Sequence, residues 1–233
     1  MSLFSKLMGG SADKKPVSAR EALPLAEAAL KAWSEVQAAS AELCCVYSGT
    51  MDSEREILRD GRSRAWHFDF HLPASQSFYL VRVVDGKSKG RERTRSEHPV
   101  EYVCAWYGSD KRDGSFPEPI PLPDGWADTT AIAEAAFAGL RHELGKDVDV
   151  ERYGVLCLFA DARYLRYAHP EAEPKLVHVP PPASPCFTAI LSHEDVDREP
   201  AVLTHIDAVT ADLVATQRIE FPPLFFFGIS ADW

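Results

Sequence analysis

Few residues in this chain are of types and spacings that do chemistry, and the sharpest group is His67, Asp69 and His71. The pattern H-x-D-x-H offers two imidazoles and a carboxylate, ligands suited to zinc, manganese or iron. In Trp66-His67-Phe68-Asp69-Phe70-His71 the aromatics alternate with polar residues, so a strand would put the aromatics on one face and the candidate ligands on the other. Alternate strand residues lie about 6.5 Å apart, which separates the outer pair by roughly 13 Å. All three cannot grip one ion. A metal-dependent hydrolase on this face therefore needs a pair such as His67 with Asp69, completed by a ligand from elsewhere. The plainer expectation is the polar, solvent-facing side of a half-buried sheet.

A second group is cationic. Lys87, Lys89, Arg91, Arg93 and Arg95 alternate with Ser88, Gly90, Glu92, Thr94 and Ser96. Extended backbone projects such a row from one side, where it could attract an acidic partner, and a row of this kind also keeps an edge strand from pairing with other chains. No phosphate loop, G-x-S-x-G elbow, H-E-x-x-H helix or G-x-G-x-x-G turn occurs. An enzyme reading thus has no local anchor, and neither catalytic residues nor cofactors are expected. A triad assembled from distant residues would escape this search.

The elements that must position these groups follow from composition and periodicity. With 233 residues, 45% hydrophobic and 26% charged, the chain has the make-up of an ordinary folded protein of one large or two small domains. Its formal net charge of -10 repels polyphosphate backbones, so nucleic acid is not an expected partner. No run reaches the roughly 18 to 20 apolar residues of a membrane span. Met1 to Gly10 holds a single lysine and too short an apolar stretch for a secretory signal. Cys44, Cys45, Cys104, Cys157 and Cys186 form an odd set without a C-x-x-C pair, which reads as core thiols in a reducing cytoplasm.

Residues 1–17 read as a flexible leader. Ser18 and Glu21 have the spacing of a capping box, and Ala22, Leu25, Ala26, Ala29, Leu30, Trp33 and Val36 then form one helical stripe, with Pro24 placed in the first turn or at a slight bend. Period two takes over at Leu43 to Tyr47 and is clearest at Trp66 to His71, and Phe78 to Val84 returns as a near-continuous apolar run, which together predict an antiparallel meander. Proline-rich residues 116–127 read as a connector. A second helix follows, with Asp128 or Thr129 as N-cap and Gly145 as its stop, and strands recur at Tyr153 to Phe159, Phe187 to Leu191, Ala201 to Ile206 and from Leu213. Val84-Asp85-Gly86-Lys87-Ser88 and Ile206-Asp207-Ala208-Val209-Thr210 share a pattern suited to a hairpin. The expected fold class is α+β: two tandem modules, 18–115 and 128–233, each a helix packed on an antiparallel meander. The aromatic tail Phe221 to Ile229 is expected either to close the core or to form a subunit contact.

Two of these segments resemble the PepSY domain, a helix on an antiparallel sheet. Asp128-Thr129-Thr130-Ala131-Ile132-Ala133 is similar to that family's acidic-hydroxyl entry to an alanine-rich helix, and Ile206-Asp207-Ala208-Val209-Thr210 to its V-x-V-D-A-x-T-G hairpin. The aspartate-glycine turn before Trp66 and Val83-Val84-Asp85-Gly86 extend the likeness to a first copy. Asp212 departs from the pattern, standing near where the second hairpin would carry glycine. The resemblance implies a non-catalytic protein that binds or restrains another protein, with no catalytic residues to carry over. PepSY modules are often extracytoplasmic, whereas the opening residues lead to a cytoplasmic expectation. The alternatives are the hydrolase above and a structural oligomer subunit.

Overall fold

Ser18 caps the first helix as its spacing from Glu21 requires, and Val17, expected in the flexible leader, is already bridged to Ser63. The Ser18 backbone N–H donates to Glu21 Oε2 at 2.8 Å while the Glu21 N–H donates to Ser18 Oγ at 3.3 Å, so two backbone donors left over at the helix start are satisfied reciprocally. Helix α1 spans Ala19–Trp33, and Pro24 lies inside it, where its missing N–H costs one turn-to-turn hydrogen bond. The stripe was expected to run on to Val36, but Ser34 leaves helical geometry (φ -158°, ψ 112°) and caps a separate short helix, α2 (Glu35–Ala38). Val36 is consequently 84% exposed. Helix α3, Thr129–Leu144, is capped by Asp128, whose Oδ1 accepts from the Thr129 N–H at 2.7 Å, and stops at Gly145 with φ 99°.

The fold is that of a computed structural model, which describes residues 15–49, 59–93, 121–160, 185–193 and 200–219. Eight strands lie between and after the helices: β1 (Glu42–Gly49), β2 (Ala65–Leu72), β3 (Ser77–Val84), β4 (Lys87–Arg93), β5 (Tyr153–Ala160), β6 (Cys186–His193), β7 (Ala201–Asp207) and β8 (Leu213–Ile219). Two antiparallel four-stranded meanders result, and β1 pairs with β5, also antiparallel, to join them into one sheet of order β4-β3-β2-β1-β5-β6-β7-β8. The order reads the same outward in both directions from that central pair, so the halves are related by an approximate twofold axis. Helix α1 lies over β2, β3 and β4, and α3 over β6, β7 and β8.

Both helices cover the same side of the sheet. Trp66, Phe68, Phe70 and Leu72 of β2, Val81 and Val83 of β3, Phe187, Ala189 and Leu191 of β6, and Val202 and Ile206 of β7 form this core with Ala22, Ala26 and Leu30 of α1 and Ile132, Ala136 and Leu140 of α3. The helix residues correspond at a constant offset of 110. Leu122 and Trp126, just before α3, are buried in the same core, and the Leu122 N–H donates to the Leu43 carbonyl at 2.7 Å.

The two helix starts meet at the middle. Thr129 Oγ1 accepts from the Ala19 N–H at 3.1 Å and donates to the Gly61 carbonyl at 2.8 Å, all of it buried. Gly61 sits at φ 72°, and a Cβ there would stand 2.0 Å from the Thr129 carbonyl oxygen. Only glycine meets both demands. Arg20 reinforces the joint: its side chain donates to the Trp126 carbonyl and its guanidinium lies 4.6 Å from the centre of the Trp126 ring.

Candidate functional site

Register decides what each candidate residue meets on the reverse face, away from the helices. His67 pairs with Arg82 and Tyr47, Asp69 with Leu80 and Cys45, and His71 with Phe78 and Glu42. Since directly paired residues share a face, the three occupy three successive rows of the sheet. His67 stacks on Tyr47 with ring centres 4.6 Å apart, and His71 Nδ1 lies 3.3 Å from Glu42 Oε2. His67 and His71 thus each meet a side chain of β1 along their own rows. Among the described residues no group of three His, Cys, Asp or Glu side chains could hold a metal ion.

The solvent-facing expectation for this trio is corrected. His67 is 3% exposed, Asp69 0% and His71 6%, so β2 is buried on both faces. Phe78 and Leu80 on the same face of β3 are buried as well. A strand covered on both sides reads as a nearly continuous apolar run, which is the pattern of Phe78 to Val84.

The cationic row sits on β4, an end of the sheet among the described residues. Lys87, Lys89, Arg91 and Arg93 pair with Val84, Arg82, Leu80 and Phe78, placing all four on the face of His67 and Asp69; Arg95 lies outside the described residues. Lys87 and Lys89 are exposed, Arg91 and Arg93 half-buried. On the helix side of β4, Gly90 lies against the Tyr79 ring, which stacks on Trp33 at 4.5 Å, and Glu92 accepts from Ser77 Oγ at 2.7 Å.

Sequence reasoning did not find the buried polar pair of the second half. Thr188 Oγ1 and His205 Nδ1 are 2.9 Å apart across β6 and β7, and His205 Nε2 is buried without a hydrogen-bond partner. Burial pushes the His205 pKa down to about 3, so the ring is neutral. Cys186 pairs with Asp207 on the same face, and burial together with that carboxylate pushes its thiol up to about 12, which makes it inert as a nucleophile. The available signal was His205 beside Thr204 within the otherwise apolar run from Ala201 to Ile206, the composition of a strand buried on both sides. Cys44 and Cys45 are likewise buried.

No family model matches the chain, and no curated protein matches it. One solved structure found to be similar is that of a "putative lipoprotein" from Clostridium difficile 630, at 8% identity and a TM-score of 0.44, with 88% of this chain and 96% of that one covered. The cytoplasmic expectation is corrected in view of that neighbour's description as a lipoprotein; a likeness this distant assigns no compartment in its place. No helix among the described residues is long and apolar enough to cross a membrane.

Proposed function

We propose that the protein is a non-catalytic contact module built from two degenerate PepSY-like copies, which works by binding another protein. The observation that supports this is β4, an end of the sheet among the described residues whose cations all stand on one face. Such a strand offers backbone hydrogen bonds and directional charge together, the two elements of recognition by strand addition. The Asp207 turn agrees with the hairpin of the resemblance: Asp207 Oδ1 accepts from the Val209 and Thr210 N–H groups at 2.8 and 2.9 Å.

Affinity capture on the full chain, followed by reconstitution from purified components, tests the reading. One protein binding in a fixed ratio is expected; failure of every purified candidate to bind above background overturns it. The metal-dependent hydrolase has less support, because His67, Asp69 and His71 are buried in three separate rows. Stoichiometric zinc, manganese or iron that disappears in His67→Ala would reverse that preference. The oligomer reading depends on residues 221–233, which lie outside the described residues.

A further inference from the structure

We propose that the outer edge of β4 receives an acidic, extended segment of the partner protein as an added strand; this rests on the contact-module reading and names its site and ligand class. The strand has seven residues, all paired with β3 on its inner side. Every second residue of such an end strand points its N–H and C=O away from the sheet. An incoming strand can take up those groups.

Charge selects what comes in. Lys87, Lys89, Arg91 and Arg93 recur at every second position, about 6.8 Å apart, so carboxylates at alternate positions of an added strand would stand opposite them. Lys87 and Lys89 are exposed and make no ion pair among the described residues. Glu92, the single acidic residue of β4, faces the other way and is hydrogen-bonded to Ser77. Pairing of β4 with β4 of a second copy would set cations against cations, which opposes self-pairing through this edge. A polyphosphate strand would meet four cations on a body of net charge -10, whereas a short acidic segment need only meet the row.

The helix side of the edge sets the segment's other half. Ser88 and Gly90 leave that side low, and beside it stands the Tyr79 and Trp33 stack, with Trp33 40% exposed. Side chains alternating with the carboxylates would pass over this aromatic shelf, so the ligand class is an extended segment that alternates acidic and apolar residues.

The probe is a labelled seven-residue peptide alternating glutamate with valine, matched to the length of β4 and titrated by fluorescence anisotropy against the full chain at low salt. Binding should weaken at least about tenfold in the double variant Lys87→Glu, Lys89→Glu, and equally when the central valines become proline, which keeps the charge and removes the backbone donors. Equal binding of the proline peptide overturns strand addition, and equal binding by the double variant overturns the site. Tighter binding of a single-stranded oligonucleotide of equal charge overturns the ligand class. Should a reconstituted protein partner bind the double variant as well as the unaltered chain, this inference fails while the contact-module reading stands.

Discussion

After its third strand the first half turns in two residues, Asp85 and Gly86, with φ 51° and 73°, while the second half uses five, Ala208 to Asp212, with Ala211 at φ 59°. The tight turn is the kind whose twist suits a hairpin and which needs positive φ at both central positions. There the Asp85 carboxylate is taken by Arg64 at 2.8 and 3.0 Å; in the longer turn Asp207 instead holds two backbone N–H groups of its own loop. The same aspartate-centred string therefore builds two different turns. It also sits one residue out of step: the Asp85 backbone N–H donates to the Arg64 carbonyl where the second half has the Ala208 N–H donating to the Pro185 carbonyl, so Val83, not Val84, is the structural counterpart of Ile206. Val84 consequently faces the His67 side and Ile206 the helix side. A single-residue slip exchanges the faces of a strand, and turn length is what sets it.

The halves agree under their helices and diverge elsewhere. Leu30 and Leu140 occupy matching places, but α3 buries seven residues against four for α1. On the reverse face the first half carries His67, Asp69, His71 and Arg82, whereas the second carries the neutral pair Thr188 and His205 among Ile190 and Leu203. At the sheet ends β4 bears four cations and one anion, while β8 has only Arg218 and leaves Leu213 and Val214 partly exposed. The helix-side core tolerates little variation because it must be filled; faces and edges are free to specialise.

Five substitutions test this division. The largest effect is expected at the joint both halves share: Gly61→Ala adds a Cβ 2.0 Å from a backbone oxygen at a positive φ, and should lower unfolding free energy by about 4 kcal/mol in denaturant titration. A loss confined to one transition of two would show that the halves fold separately. Leu140→Ala should cost about 4 kcal/mol or somewhat less and Leu30→Ala about 2 to 3, within the range for buried leucine truncation, because α3 is the more completely covered. Equal losses would erase the distinction.

Acid should act on the second half's reverse face. His205 is held near pKa 3 when folded against an ordinary 6.5, so the unfolded chain binds the proton first. Stability is unaffected above pH 6.5 and falls as pH drops toward 3, by on the order of 2 kcal/mol at pH 5. His205→Gln should flatten that part of the profile; an unchanged slope would assign it elsewhere. The smallest effect is at Gly139, whose added Cβ would lie 2.9 Å from methyls of Thr204 and Thr216 and 3.0 Å from Leu213. Crowding outweighs the helix-propensity gain of about 1 kcal/mol, for a net loss of about 1 kcal/mol in Gly139→Ala. Its counterpart Ala29 already carries the methyl, so a stabilised Gly139→Ala would show the two helices to sit at the same height.

Local physics is legible in a string of residues. The capping box of Ser18 and Glu21, the Asp128 cap, the Gly145 stop, the alternation along β2 and the short apolar runs of β3, β6 and β7 each depend on neighbours a few positions away, and each is found where the spacing places it. The break at Ser34 was not legible, since the apolar stripe continues through it to Val36.

By itself, then, the sequence determined the elements and the repeated helix-then-meander plan, because capping and period depend on contacts between near residues. Tertiary structure alone decided that β1 and β5 join the meanders into one sheet, that Gly61 and Thr129 lock the helix starts together, and that His67, Asp69 and His71 are buried in separate rows. Each of these pairs residues distant in the chain, and register across a sheet is set by turn length and burial rather than by residue type.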